Sequence, residues 1–399
     1  MTRAAEAMRI GIDYRPALVN REGIGRYVRE LVRGLVAVEP ELALGLFGYT
    51  LAGRRARADE LGIAGTRAEL ARLRFPARWL PGLLRRIGRG VDDLVGGADL
   101  FHHTSYSVLA VREAREVLTI HDCVYLHDAD YLDRGAAERM AAAMRRVVPR
   151  ARRILVPSEY VGAEVVLRLG AMPNRIAVTP LGSDHISRAL AGVEVPPPDP
   201  PYVLTVSRVD NRKNHLCMLQ AFERLVREGL PHRWVVAGPP GYGSERFARA
   251  LAASPARARV EWRRAVPEAE LPRLYAGAEV LLFASRSEGF GLPILEAMAA
   301  GTPVVTSGVA SMPEVGGDAA VYVDPSEEEA IFAGLHDLLR DPARRRDLAV
   351  RGRARAAAFS WRETARKTAA AYRGALRPPS ADGPPLRRAK INNPPGGSQ

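Results

Sequence analysis

Two glutamates eight positions apart, Glu288 and Glu296, stand in the run Ser285-Arg-Ser-Glu288-Gly-Phe-Gly-Leu-Pro293-Ile-Leu-Glu296-Ala-Met-Ala-Ala-Gly301. An ionised carboxylate accepts several hydrogen bonds in fixed geometry, which suits the hydroxyls of a sugar. Gly289 and Gly291 flank Phe290 and precede Leu292, and a loop so poor in side chains lets backbone N–H groups reach a ligand. Pro293 marks the first turn of a helix. A helix N-terminus behind such a loop favours an anion such as pyrophosphate. The spacing lets the two carboxylates address separate parts of one extended ligand.

A second run, Thr205-Val-Ser207-Arg208-Val-Asp210-Asn-Arg212-Lys213-Asn214-His215, starts where an apolar strand ends. Arg208 offers a planar fork to a phosphate and Lys213 a flexible point charge. Together they would neutralise a diphosphate and the charge that grows on it as it leaves. Arg212 stays open between this role and plain surface. In the amino-terminal half, His121-Asp122 follows Val117-Leu-Thr-Ile120. There a histidine can hydrogen-bond a sugar hydroxyl while Asp122 orients its ring or shapes the loop. His102, His103 and Tyr106 repeat that placement one strand earlier and are acceptor-pocket candidates. Gly23 and Gly25 follow the first strand and open a helix, but the run is not G-x-G-x-x-G and is by itself a weak sign of dinucleotide binding.

The elements that must position these residues form two series of short apolar strands alternating with helices, the pattern of parallel α/β sheets. In the first series strands are predicted at 8–13, 42–49, 99–102, 117–120 and 153–156. In the second they fall at 202–206, 234–237, 259–262, 280–283 and 303–305, with helices near 214–228, 268–276, 293–300, 327–340 and 342–356. The expectation is two doubly wound Rossmann-like domains facing across a deep cleft. They cover 1–190 and 202–358, joined by a proline-rich linker at 191–201. A C-terminal helix at 359–376 packs back on the first domain, and a disordered tail covers 377–399.

The chain has 399 residues, too many for one ordinary core. Its only cysteines, Cys123 and Cys217, exclude a disulfide framework and a thiolate zinc site. Asp128 and Asp130 have the spacing of a metal-bridging pair, but nothing gathers round them and they read as a polar loop, so no metal or cofactor is expected. No signal peptide is expected from the N-terminal residues, and no stretch is long and apolar enough to span a membrane. The net charge of +13 is spread over both halves, unlike the localised stripe of a nucleic-acid binder, so no nucleic-acid partner is expected. One strip, 72–89, interleaves Arg74, Arg78, Arg85 and Arg86 with Trp79 and other apolar residues. It is either a contact with an anionic membrane or acidic acceptor, or a mobile basic loop.

These motifs together resemble the retaining glycosyltransferases of family 4, which have the two-domain GT-B fold. EGFGLPILEAMAAGTPVV with its E-x7-E pair is the most specific mark. SRVDNRKN at 207–214, TIHD at 119–122, VPSEY at 156–160, VTPLGSD at 178–184 and SMPEVGGDAAVYVDP at 311–325 support it. The resemblance implies that Arg208 and Lys213 hold a donor diphosphate and that Glu296 contacts the ribose. It implies that Glu288 lies by the transferred sugar and that His121 reaches the sugar and reaction centre. It also implies that Ser207 and Gly289–Leu292 line the donor site and that Gly23 and Gly25 close over the phosphates. GIGRY at 23–27 resembles bacterial members that use GDP-mannose or related donors, with Glu22 where they often carry a small residue.

The implied function is transfer of a hexose from a nucleotide sugar to a saccharide, lipid-linked or small-molecule acceptor. It would need no metal and would take place in the cytoplasm or on the inner face of the cytoplasmic membrane. A nucleotide-sugar 2-epimerase or hydrolase would use the same fold but needs dedicated acid–base residues that are not evident. A silent nucleotide-sugar-binding scaffold should have lost one of the four charged residues, and all are present.

Overall fold

A computed structural model describes residues 8–20, 23–51, 61–76, 79–127 and 130–377. The chain forms two compact units. One gathers the chain up to Leu126, then Gly135–Leu181 and the C-terminal stretch from Trp361; the other gathers residues 127, 130–134 and Gly182–Ser360.

The first unit is built on a seven-stranded parallel sheet. Its strands are β1 (Arg9–Asp13), β2 (Ala43–Tyr49), β3 (Ala68–Leu73), β4 (Leu100–His103), β5 (Arg115–Thr119), β6 (Arg153–Val156) and β7 (Ile176–Val178), in the order β3-β2-β1-β4-β5-β6-β7. The order reverses between β1 and β4, where Ile12 pairs with His102. In open α/β sheets, ligands bind outside the carboxyl ends of the strands at that switch point. Ile10, Ile12, Leu44, Leu46, Val117 and Leu118 are buried, as strands covered on both faces require. The helix Trp361–Leu376 packs on Gly23–Val38 with Trp361, Ala365, Ala369 and Tyr372 buried, so the chain's last described element completes its first unit.

The second unit repeats the plan with β8 (Tyr202–Val206), β9 (Arg233–Ala237), β10 (Val260–Arg263), β11 (Val280–Phe283), β12 (Val304–Ser307) and β13 (Val321–Val323). Its order is β10-β9-β8-β11-β12-β13, all parallel, and its switch point lies between β8 and β11. The core centres on Trp234, which is fully buried and donates its indole N–H to Thr205 Oγ1 at 2.9 Å. Helix Asp184–Leu190 packs on Leu271–Gly277 and Leu292–Ala300, so this unit begins ahead of the proline-rich run.

Three strands, β3, β7 and β13, lie outside the sequence pattern. β3 reads Ala-Glu-Leu-Ala-Arg-Leu, a run of good helix formers, and becomes an edge strand because β2 offers it a parallel partner along its whole length. β7 and β13 have three residues each, too short to show a period.

Candidate functional site

The second unit's switch point carries a dense charge cluster. Beyond β8 the chain makes one short turn, Asn211–Lys213, capped by Asp210, whose carboxylate accepts from the Lys213 N–H at 3.1 Å. Asn214 follows in the left-handed region (φ 64°), and its side-chain amide donates to Ala284 O at 3.1 Å and Pro325 O at 2.7 Å. The loop is thereby fastened to the end of β11, and its two cations turn onto Glu288. Lys213 Nζ lies 2.5 Å from Glu288 Oε1, and Arg212 Nη1 lies 2.9 Å from Oε2 and 2.5 Å from Ser287 O. Ser285 Oγ donates to Glu288 Oε1 at 2.6 Å, and Ser311 Oγ to the Glu288 carbonyl at 2.9 Å.

Burial alone would raise the Glu288 pKa, but Arg212, Lys213 and the Lys213 and Ser285 hydrogen bonds outweigh it and hold it at about 2. Burial pushes Lys213 down, and Glu288 opposes that. Burial likewise pushes Asp210 up against the pull of Arg212 and Lys213. Of the two expected cations, Lys213 is in the cluster. Arg208 is solvent-exposed, and Arg212 takes the second place on Glu288. Ser207 sits at the strand end with its hydroxyl 3.2 Å from His215 Nε2; burial and Lys213 hold that imidazole at about 3 and therefore neutral.

Behind the cluster, Gly291 caps helix Leu292–Ala300 at φ 92°, a conformation that favours glycine, and a Cβ there would stand 3.0 Å from Ile294 Cδ1. Phe290 and Leu292 are buried, Phe290 edge-on to Phe359 at 6.1 Å. Glu296 is buried inside the helix. Oε1 accepts from His185 Nε2 at 3.0 Å and Oε2 from the Tyr275 hydroxyl at 2.7 Å. Neither His185 nor Tyr275 stands out in the sequence, because each lies in a helix far along the chain from Glu296. Both glutamates thus come to one switch point with separate partners, as a ligand spanning the loop and the helix would need.

In the first unit His121 lies just past β5. Its Nε2 donates to Thr104 O at 2.9 Å, so Nδ1 is left as the acceptor of the neutral ring. Burial lowers its pKa against the pull of Thr104 and Asp122 and keeps it neutral. Tyr27 meets the ring edge-on at 5.0 Å. Gly25 is demanded by packing, since a Cβ there would fall 1.8 Å from Asn20 O, whereas no atom of the described residues lies within 4 Å of a Cβ at Gly23. Glu22 lies outside the described residues.

Two of the acceptor candidates, His102 and His103, need correction. His102 is fully buried, with Nδ1 2.7 Å from the Tyr372 hydroxyl and Nε2 2.7 Å from the Thr119 hydroxyl. Burial brings its pKa to about 3. It ties β4 to the C-terminal helix. His103 is equally buried, its Nε2 3.0 Å from Glu116 Oε2, and Arg150 clamps the same carboxylate at 2.9 and 3.0 Å. Tyr106 and Asp122 bind one another: the Tyr106 hydroxyl donates to Asp122 Oδ1 and accepts from the Asp122 N–H, both at 3.0 Å. They build the loop that carries His121.

A group to which the sequence assigns no role is Asp13. It ends β1 at the switch point, buried, taking Arg15 N–H and the Ser105 hydroxyl at 3.2 Å each. Burial raises its pKa to about 6, against the pull of the Arg15 N–H, His103 and Ser105. Arg15 in turn stacks on Tyr49 at 5.0 Å. An acid ending the first strand is visible in the sequence; that this strand lies at the reversal is not.

In the basic strip, helix Leu80–Arg86 buries Leu80 and Leu84 against Phe47, Tyr49 and Phe101. Trp79, Leu83 and Ile87, spaced i, i+4, i+8, are 59%, 38% and 54% exposed. Arg74, Arg85, Arg86 and Arg89 are exposed beside them, and Arg78 lies outside the described residues. Both cysteines are buried, and Asp128 lies outside the described residues. Among the described residues no cluster of three His, Cys, Asp or Glu side chains could hold a metal, and no helix is long and apolar enough to cross a membrane.

Residues 21–185 match the model described as glycosyltransferase family 4, and residues 188–355 the model described as glycosyl transferases group 1. The chain is 32% identical over 285 residues to O-antigen chain mannosyltransferase B of Escherichia coli, covering 69% of this chain and 74% of that one. It is 30% identical over 266 residues to the D-inositol 3-phosphate glycosyltransferase of Kineococcus radiotolerans, covering 60% of each, so it spans about three fifths of that relative's length. Among solved structures, the sucrose-phosphate synthase of Thermosynechococcus elongatus aligns with a TM-score of 0.73 at 20% identity, over 92% of this chain and 98% of that one.

Proposed function

Since the chain belongs to glycosyltransferase family 4 and has the GT-B fold, we propose that it is a retaining enzyme that moves a hexose, with mannose from GDP-mannose favoured, onto a hydroxyl of a saccharide or glycolipid. The observation that carries this reading is the meeting of Glu288, Arg212 and Lys213 beside the helix that holds Glu296. Cations at a strand-end loop and a helix N-terminus suit a diphosphate; two carboxylates in sequence suit the hydroxyls on either side of it. In this reading Lys213, with Arg208 and Arg212, takes up the charge of the departing diphosphate. Glu296 holds the ribose diol and Glu288 the hexose. His121 accepts a hydrogen bond from a hexose hydroxyl at Nδ1, and Gly23 leaves room for the phosphates.

The acceptor hydroxyl attacks on the face the nucleotide leaves and gives its proton to the diphosphate, so no side-chain nucleophile and no metal are required. Mannose is favoured by the likeness to a mannosyltransferase. The test is a donor screen with GDP-mannose, UDP-glucose, UDP-GlcNAc and dTDP-rhamnose, with the product's anomeric configuration read by NMR. Turnover of GDP-mannose to an α-mannoside supports the reading. Turnover of another donor replaces the sugar, and an inverted product overturns the retaining mechanism.

The strip at 72–89 bears on the acceptor's setting. Three exposed apolar residues on one helical stripe, flanked by arginines, suit the interface of an anionic membrane on the inner, cytoplasmic face. Flotation with vesicles of phosphatidylcholine, with and without phosphatidylglycerol, tests this. The protein should bind only the anionic vesicles, and Trp79→Ser/Leu83→Ser/Ile87→Ser should release it while leaving nucleotide binding intact. Equal binding by the variant rules the stripe out.

A further inference from the structure

Both carboxylate oxygens of Glu288, the residue assigned to the hexose, are engaged. Oε1 takes Lys213 Nζ and Ser285 Oγ, and Oε2 takes Arg212. The cations that occupy it are those a diphosphate would claim, and all three side chains are largely buried, at 9%, 12% and 15% exposure. A buried cation needs an anion, and Glu288 meets that need when nothing else does. A diphosphate brings more charge and more acceptor oxygens than one carboxylate can.

We propose that Glu288 stands in for the donor's diphosphate until a donor binds, and that donor binding hands Arg212 and Lys213 over to the diphosphate and releases the Glu288 carboxylate to the hexose. This rests on the donor-site reading above and adds an order of events to it. The hexose partner becomes available only when a diphosphate has arrived. A nucleoside or monophosphate that leaves the cations in place does not free it. Arg212 becomes a donor-binding residue in its own right, on the same footing as Lys213. The local arrangement is also self-protecting: two cations and a carboxylate at 2.5–2.9 Å are compensated until a stronger anion displaces the weaker.

The proposal has a consequence opposite in sign to a carboxylate that merely props up Lys213. Glu288→Gln removes the competitor, so GDP and UDP should bind more tightly than to the native protein, by roughly ten-fold, while transfer is lost. Guanosine and uridine, which lack phosphate, should bind both proteins alike. In a Lys213→Met/Arg212→Gln background the same substitution should give no gain. Titration calorimetry with the full chain reads all of these.

A second measurement needs no variant. Stripped of its cations, a buried carboxylate titrates well above the value of about 2 that it has when paired with Arg212 and Lys213. Binding of GDP-mannose or UDP-glucose at pH 5 should therefore take up protons, seen as a dependence of binding heat on buffer ionisation enthalpy; the diphosphate diester itself does not titrate there. Weaker diphosphate binding by Glu288→Gln, or no proton uptake by the native protein, overturns the exchange and leaves the glycosyltransferase reading standing. Failure of the native protein to bind any nucleotide sugar counts instead against the donor-site reading.

Discussion

The two switch points share a topology and hold opposite electrostatics. In the second unit an acid at the sheet's edge, Glu288, is gripped by two cations and a hydroxyl, and its pKa falls to about 2. In the first unit the corresponding acid, Asp13, has backbone and hydroxyl partners, and burial lifts its pKa to about 6. One crevice is satisfied by its own ions; the other keeps a carboxyl poised near neutrality. A closed charge cluster suits a site that must wait for a single strong anion. An acid short of a counter-charge suits a site still open to a polar partner.

The largest effect should come from breaking the cation pair. Lys213→Ala should lower turnover by roughly 10²–10³, the scale of losing one donor aimed at developing charge. Arg212→Ala should cost more than Arg208→Ala, because Arg212 is the one on Glu288. Steady-state rates with a fixed donor check the ranking, and a larger loss from Arg208→Ala would return that residue to the place the sequence gives it.

The next prediction sets the two acids against each other through stability. Folded Glu288 titrates near 2 and an ordinary glutamate near 4.5. The native state therefore binds fewer protons between those values, and the contribution is full above pH 4.5 and lost as pH falls towards 2. Asp13 runs the other way. Its folded pKa of about 6 lies above the ordinary 3.8, so its penalty is complete above pH 6 and gone below about pH 4. At 1.36 kcal/mol per pKa unit, each is of order 3 kcal/mol. Glu288→Gln should lower stability at pH 7, and Asp13→Asn should raise it, with the Asp13→Asn gain fading by pH 4. Urea unfolding at both pH values checks both signs.

The same contrast explains what the sequence could show. The donor-side residues lie in two contiguous runs, each crossing one strand end, so spacing keeps Glu288 near Glu296, and the family resemblance implies that Lys213 shares their ligand. Arg212 was ambiguous because neighbouring arginines in a basic run look alike. The choice between Arg208 and Arg212 is made by the Asn211–Lys213 turn and the left-handed Asn214. In the first unit the contacts span the chain: Asp13 meets Ser105, and His102 meets Tyr372, 270 residues away. His102 and His121 look equivalent as histidines at strand ends, yet His102 is the third residue of a four-residue strand and points into the helix layer. His121 lies one residue beyond Ile120, past the end of β5. No local pattern carries that difference.

That difference is itself testable. His102→Ala should lose about 2 kcal/mol, since it leaves the Tyr372 and Thr119 hydroxyls short of a buried partner. It should leave the donor KM unchanged. His121→Ala should show the reverse, with transfer reduced and stability changed less. A variant at 102 that folds normally but alters acceptor KM would restore it to the acceptor pocket.

The smallest effect is expected at His185, which acts on the ligand only through Glu296. Its Nε2 donates to Oε1 while Tyr275 holds Oε2, so the Glu296 carboxylate is held from two sides. Removing His185 loses one of these contacts and leaves that of Tyr275 in place. The ribose contact should weaken without the diphosphate contact changing. His185→Ala should therefore raise the donor KM several-fold, up to roughly ten-fold, with kcat nearly unaltered, the pattern of lost uniform binding. His185→Gln keeps an N–H donor at similar reach and should recover most of the loss. If kcat falls instead, or Gln rescues nothing, Glu296 does more than hold the nucleoside, and the division of labour between the two glutamates must be redrawn.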